Sequence, residues 1–164
     1  MGINISVTGD KGEVKNTLRK LFAKDKYEFS VPFVGEGILA YSKFNQPREC
    51  DILVAHASSS SNVVPAHIAV VNSDDATAIL SANRAQTIIT YGFNNQACVT
   101  ASGLSQDTMQ VCIQRSLPCV NGKVIEQQEF ALPLGLGEDP AAALAATAAA
   151  LISGVEPGEL AAAR

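Results

Sequence analysis

Two glycines near the start of the chain could bind a phosphate group. They separate a short apolar run from an amphipathic helical pattern, and this order predicts a strand, a tight turn and a helix. The backbone amides of such a turn and the positive end of the helix dipole converge on one point, where an anion is stabilised. The candidate phosphate-binding turn consists of Gly9, Asp10, Lys11, Gly12, Glu13 and Val14.

The side chains of this turn differ from those of a working phosphate loop. Such a loop has a lysine directly after its last glycine, which contacts the β- and γ-phosphates, and then a Ser or Thr hydroxyl that holds Mg²⁺. Glu13 and Val14 stand at these two positions. A carboxylate repels a γ-phosphate, and valine has no oxygen to offer a metal ion. Lys11 or Lys15 could replace the missing lysine, although neither stands at the required spacing.

A second set of polar residues follows the predicted strands. His56 comes directly after one apolar run, and Asn72, Asp74 and Asp75 follow the next. Ligand sites of parallel sheets lie at the carboxyl ends of the strands, so His56 with Asp74 or Asp75 could serve an enzyme. A histidine without a nucleophile beside it is more often only hydrogen-bonded, and helix capping also explains the two aspartates.

The elements that must position these residues indicate an α/β domain. Continuous apolar runs, typical of strands buried on both faces, occupy Ile52–Ala55, Ile68–Val71 and Thr87–Tyr91. Helical patterns alternate with strands, which predicts a mainly parallel, P-loop-like sheet flanked by helices. From Ala97 to Leu132 the pattern changes to half-buried strands, with a hairpin signal at Val120–Lys123. An antiparallel sheet is therefore expected beside the parallel one.

Local signals place the remaining elements. Asn72–Asp75 is predicted to cap a helix that runs to Ala82, and the segment Tyr27–Val34 is predicted to be an edge strand. Asp139 is a good N-cap, and proline suits the first helical position after it, so an alanine-rich helix is expected from Pro140 to about Ile152.

Composition narrows the class of protein. A chain of 164 residues with 47% hydrophobic and 17% charged residues suits one globular domain, residues 1–164. Neither a membrane span nor a signal peptide is apparent, so a cytoplasmic protein is expected. The four cysteines lack Cys-x-x-Cys spacing, which argues against a zinc site. A net charge of −4 with few aromatic residues argues against a nucleic-acid surface.

Three stretches resemble, in order, the central ATP-binding domain of the Mur ligases, the ATP-dependent enzymes that add amino acids to the peptidoglycan precursor. Ser6–Gly12 is similar to their Val-Thr-Gly-Thr-Asn-Gly-Lys-Thr-Thr loop. Ala69–Asp75 followed by Thr87–Asn94 is similar to a strand ending in Asn-x-Asp-Asp and a later strand that reads "vitfG". Phe130–Gly135 and Gly137–Ala146 are similar to the family's "lpG-x-His-Asn-x-x-Asn-Ala-Leu-Ala-Ala" helix.

The resemblance implies a domain that binds ATP and Mg²⁺, but the departures from it fall on functional positions. His56 stands where the family has a metal-binding glutamate, and Mg²⁺ prefers oxygen ligands to imidazole. Two asparagines that the resemblance would assign to nucleotide contacts fall on Asp139 and Ala142. Together with Glu13 and Val14, these replacements predict that the chain alone does not carry out ATP-driven ligation.

Three functions remain open at this stage. The first is a non-catalytic Mur-ligase-like domain that binds a protein partner or a cell-wall precursor, without a metal ion or a cofactor. The second is a nucleotide- or anion-binding protein that uses the Gly9–Gly12 turn, with ATP and Mg²⁺ as ligands. Its candidate nucleotide contacts are Asn72, Asp74, Asp75 and Asp139. The third is an unrelated enzyme that uses His56. The resemblance covers the central domain alone, so surface that the other domains cover in the family is expected to be open, and a homo-oligomer is a reasonable hypothesis.

Overall fold

A seven-stranded mixed sheet runs through the part of the chain that the computed structural model describes, residues 3–10, 12–22, 50–57 and 65–162. The elements are β1 (Ile5–Thr8), α1 (Glu13–Phe22), β2 (Cys50–Ala55), β3 (Ala66–Asn72), a 3₁₀ helix (Ala78–Ala82), β4 (Ala85–Tyr91), β5 (Val99–Leu104), β6 (Thr108–Ile113), β7 (Leu117–Pro118), β8 (Val124–Ile125), β9 (Gln128–Pro133), α2 (Pro140–Ser153) and α3 (Pro157–Ala161). None of the helices within these residues is long and apolar enough to cross a membrane.

The strand order of the large sheet is β1-β2-β3-β4-β5-β6-β9. Neighbours from β1 to β5 are parallel, whereas β6 pairs antiparallel with both β5 and β9. The predicted α/β class with a mainly parallel sheet is therefore confirmed. Most of the predicted antiparallel strands extend this same sheet, and β7 with β8 forms a small antiparallel sheet of its own.

The two faces of the sheet are covered differently. Helices α1 and α2 pack on one face, where they form the main core with apolar side chains such as Val7, Val54 and Val70. The 3₁₀ helix covers the other face of β2 and β3 through Ala78 and Ala82. Strands β2 and β3 are buried on both faces, which is why their sequences are continuous apolar runs. Strand β4, predicted to be buried in the same way, is covered on one face only, since Ile88 is 41% exposed while Ile89 and Tyr91 are buried.

Two predicted elements need correction. The helix after Asp75 is only the short 3₁₀ helix, because the carboxylate of Asp75 accepts hydrogen bonds from the amide and hydroxyl of Thr77 and holds the chain in a turn up to that point. The strand predicted from Val124 to Leu132 is divided into β8 and β9, which belong to different sheets. The edge strand predicted at Tyr27–Val34 lies outside the described residues.

Helix α2 has the boundaries that its sequence predicts. The Asp139 carboxylate accepts a hydrogen bond from the amide of Ala142 at 3.2 Å, and Pro140 is the first helical residue. Gly154 ends the helix at a φ of 105°. Every residue from Ala142 to Ser153 is buried, so α2 is surrounded by protein on all sides, and its alanines allow close packing.

One buried hydroxyl in α2 predicts a stabilising substitution. Thr147 is fully buried, and its Oγ1 has no hydrogen-bond partner within the described residues. Valine has the same shape without the hydroxyl, so we expect Thr147→Val to raise the free energy of unfolding by about 1 kcal/mol in a urea titration. In contrast, Thr17→Val should lower it, because the buried Thr17 hydroxyl donates a hydrogen bond to Glu138 at 3.2 Å. Destabilisation by both substitutions would show that the Thr147 hydroxyl is bonded in solution.

Candidate functional site

The ends of the four parallel strands β1 to β4 lie side by side. Register pairs join Thr8 to Ala55, Ala55 to Val71, and Asn72 to Tyr91. The segments that follow these strands therefore meet at one edge of the sheet, which we call the carboxyl edge. Its described residues are Gly9, Asp10 and Gly12, followed by His56–Ala57, Asn72–Asp75, Tyr91–Asn94 and the Asp139 cap of α2.

The strand and the helix predicted on either side of Gly9 and Gly12 are confirmed as β1 and α1. Gly9 has a φ of 67° and Gly12 a φ of 110°, both in the region that favours glycine. Gly9 also lies against the chain after β2, because a Cβ added to it would come within 2.6 Å of backbone atoms of Ala57. Lys11, which was proposed as a substitute for the missing lysine, lies outside the described residues.

The Asp10 carboxylate accepts hydrogen bonds from backbone amides at the start of α1. Its oxygens accept hydrogen bonds from the backbone N–H of Val14 at 3.1 Å and of Lys15 at 3.2 Å. Gly12, whose carbonyl accepts the first hydrogen bond of α1 from Asn16, has no side chain to cap these amides, and Asp10 does so instead. The point where a phosphate would bind therefore already holds an anion that belongs to the chain.

The described side chains at the start of α1 also differ from those of a working phosphate loop. Val14 is fully buried in the main core, and Lys15 is only 6% exposed. Glu13, at the position of the phosphate-loop lysine, is exposed. Among the described residues, no group of three or more His, Cys, Asp and Glu side chains is arranged to hold a metal ion.

His56 forms a pair with Tyr91 across the carboxyl edge. Its Nδ1 lies 2.6 Å from the Tyr91 hydroxyl, and the two rings are nearly parallel, with 6.1 Å between their centroids. His56 is half-buried, whereas Tyr91 is only 1% exposed. Burial raises the pKa of the Tyr91 phenol well above its ordinary value, and nearby carboxylates raise it further. These carboxylates are Asp10, Asp74, Asp139 and Asp75.

Asn72 and Asp74 fasten the segments of the carboxyl edge to one another. The Asn72 side chain donates a hydrogen bond to the His56 carbonyl at 2.9 Å and accepts one from the Asp74 amide at 3.0 Å. The Asp74 carboxylate accepts hydrogen bonds from the Phe93 amide at 2.7 Å and from the Asn94 side chain at 2.9 Å. The positions of both residues are therefore explained by structural hydrogen bonds.

The structure thus gathers most of the predicted site residues but pairs them differently. After burial, the charges of Asp10, Asp74, Asp139 and Asp75 further raise the pKa of the Tyr91 phenol. The enzyme hypothesis combines His56 with Asp74 or Asp75, whereas the hydrogen bond of the His56 ring joins it to Tyr91. Sequence reasoning did not single out Tyr91. The available signal was a tyrosine at the end of a buried strand, where the Mur ligase pattern has a phenylalanine.

Comparison with known proteins places this fold beside Mur ligases from Acinetobacter baumannii. Crystal structure II of MurF is 15% identical with a TM-score of 0.60, covering 98% of this chain and 44% of that chain. The structure of UDP-N-acetylmuramoylalanyl-D-glutamyl-2,6-diaminopimelate–D-alanyl-D-alanyl ligase is 16% identical with a TM-score of 0.62, covering 99% and 45%. Crystal structure I of MurF is 15% identical with a TM-score of 0.59, covering 98% and 44%. No protein-family model and no curated protein matches the sequence.

These similarities show a Mur ligase-like fold. At 15–16% identity they concern the fold alone. The chain spans less than half the length of the structures that it matches. The activity of those whole proteins is therefore a matter for proposal.

Proposed function

We propose that this chain is a non-catalytic Mur-ligase-like domain that binds a cell-wall precursor or a protein partner at its carboxyl edge. The observation that carries the proposal is the position of the Asp10 carboxylate on the amides of Val14 and Lys15. A nucleotide phosphate would have to displace this carboxylate and would then lie near it. Two negative charges at one helix end repel each other, so the turn favours its own anion over ATP.

The residues at the positions that hold Mg²⁺ and the γ-phosphate in the Mur ligase pattern do not have the chemistry to bind them. Mg²⁺ prefers oxygen ligands, but the position of the family's metal-binding glutamate holds the His56 ring, which is engaged with Tyr91. Val14 lies in the core and has no hydroxyl. We therefore derive no phosphoryl transfer step for this chain.

The proposed ligand is suggested by the fold that the chain shares with the similar ligase structures. One of the similar structures is named as a ligase of UDP-N-acetylmuramoylalanyl-D-glutamyl-2,6-diaminopimelate and a D-alanyl-D-alanyl group. Ligands of parallel sheets bind at the carboxyl edge, where His56 is half-buried and Asp74 is exposed. A muramyl peptide precursor could bind there without being converted, because the chain has the Mur ligase-like fold while Asp10 takes the place of a phosphate at the start of α1.

The Gly9–Gly12 turn gives the second candidate function some support. Both glycines keep the positive φ that an anion-binding turn needs, so the second candidate is a nucleotide-binding protein in which Asp10 gives way to phosphate. The two functions make opposite predictions for ATP.

Calorimetric titration with Mg-ATP separates the two functions. We expect no binding by the unaltered chain and measurable binding by the variant Asp10→Thr/Glu13→Lys/Val14→Thr, which restores the loop's lysine, the hydroxyl beside it and the threonine in place of the capping aspartate. The control is Glu13→Lys/Val14→Thr, in which Asp10 still caps α1 and binding should stay absent. If the buried Val14→Thr change prevents folding, Asp10→Thr/Glu13→Lys replaces the triple variant. Binding of ATP by the unaltered chain would contradict the proposal. A separate titration of the unaltered chain with a UDP-linked muramyl peptide tests the proposed ligand.

A further inference from the structure

The contact between His56 and Tyr91 joins two departures from the Mur ligase pattern. His56 stands in place of a glutamate, and Tyr91 in place of the phenylalanine of "vitfG". The two positions are 35 residues apart in the chain, yet the side chains are hydrogen-bonded at 2.6 Å. Neither replacement is needed to close the phosphate site, which Asp10 closes. The presence of both replacements, in contact with each other, is therefore not explained by the loss of phosphate binding.

The hydrogen bond fixes the tautomer of the histidine. The Tyr91 hydroxyl is buried, and its hydrogen-bond partner among the described residues is the Nδ1 atom of His56. A buried O–H group without an acceptor is costly, and the surrounding carboxylates favour the protonated phenol. Tyr91 therefore donates to Nδ1, and the proton of the neutral imidazole lies on Nε2.

The surroundings of the pair select the charge of a ligand. The Asp74 carboxylate accepts a hydrogen bond from the amide of Phe93, two residues after Tyr91, and the Asp10 carboxylate caps α1 at the same edge of the sheet. Phosphate and other polyanions are repelled there, whereas an uncharged acceptor such as a peptide carbonyl is not. A fixed N–H donor in a half-buried position is suited to such an acceptor.

We propose that the Nε2–H group of His56, held in place by Tyr91, donates a hydrogen bond to a backbone carbonyl of a peptide that binds at the carboxyl edge. Tyr91 is a positioning residue and does not contact the ligand. The inference rests on the proposed function, because it assigns the peptide part of the precursor, and not its diphosphate part, to this site.

The tautomer can be measured without any ligand. The chain has two histidines, and His67, which is exposed, can be replaced by glutamine to assign the ring signals. Two-bond ¹H–¹⁵N correlation spectra, recorded at a pH high enough that the ring signals no longer change, should show the Nε2–H tautomer for His56. Tyr91→Phe keeps the buried ring but removes the donor, and we expect a mixture of tautomers. An Nδ1–H tautomer in the unaltered chain would overturn the proposal, even if Tyr91→Phe does not fold.

Ligand class is tested on the same spectra with two probes, the uncharged N-acetyl-D-alanyl-D-alaninamide and inorganic pyrophosphate. We expect the dipeptide amide to shift the His56 Nε2 signal and pyrophosphate to leave it unchanged. Tyr91→Phe should weaken dipeptide binding in proportion to the fraction of His56 that loses the Nε2–H tautomer, about twofold for an equal mixture. No shift with the dipeptide, or a shift with pyrophosphate, would overturn the assigned ligand class. The proposed non-catalytic function is judged separately, by the titration with Mg-ATP.

Discussion

Replacement of Gly9 by alanine should destabilise the protein by about 3–5 kcal/mol. Two costs add at this position: a φ of 67°, which L residues adopt only with strain, and a Cβ within 2.6 Å of the carbonyl carbon and nitrogen of Ala57. Backbone atoms cannot turn aside as a flexible side chain can. The turn after β1 and the end of β2 would have to separate, and equilibrium unfolding in urea measures the loss of free energy.

Gly12→Ala is the matched control for this prediction. Gly12 also has a positive φ, of 110°, but no atom of the described residues lies within 4 Å of an added Cβ. Only the backbone strain remains, so we expect a loss of about 1–2 kcal/mol. Equal losses in the two variants would show that the close approach of Gly9 to Ala57 has no energetic importance.

Ala146→Leu should have the next largest effect, a loss of about 3 kcal/mol. Ala146 is fully buried in α2, and its neighbours Ala145 and Ala148 are fully buried as well. The helix packs on α1 and on the strands of the parallel half of the sheet, so three added carbon atoms must displace these elements. The shift of the thermal unfolding midpoint reports this loss, together with near-UV circular dichroism as a check on tertiary packing.

Ala141→Leu adds the same atoms to the same helix at a half-buried position. Leucine and alanine have similar helix propensities, and we expect a change below about 0.5 kcal/mol for this variant. If Ala141→Leu and Ala146→Leu had the same effect, close packing of α2 would not be the reason for its alanines.

Sequence reasoning located the buried parallel strands and the alanine-rich helix because their signals are local. The continuous apolar run Ile52–Ala55 has no polar face, and Asp139, Pro140 and Gly154 mark the ends of α2 by their own chemistry. The division of the predicted last strand was not predictable in this way. It depends on contacts across the chain, such as the hydrogen bond of the Gln127 side chain to the carbonyl of Gln114.

At the candidate site, the sequence predicted where polar residues gather but not how they pair. Asn72, Asp74 and Asp75 do lie at the carboxyl edge with His56, since parallel strands end together. The capping of α1 by Asp10 was missed because a side chain usually caps a helix from the residue next to its first turn, and that residue is Gly12. The partner of His56 was missed because Tyr91 lies two strands away and reaches it only through the register of the sheet.

The Asp10 carboxylate has an advantage over any dissolved anion because it is covalently tethered to the amides that it binds. A well-oriented intramolecular group has an effective concentration several orders of magnitude above that of ordinary solutes. Raising the concentration of free phosphate or nucleotide therefore competes poorly with a side chain only four residues from Val14. If the proposed function is correct, we expect this single aspartate to keep nucleotide out of the turn at ordinary cellular concentrations, while β1 and α1 keep their shape.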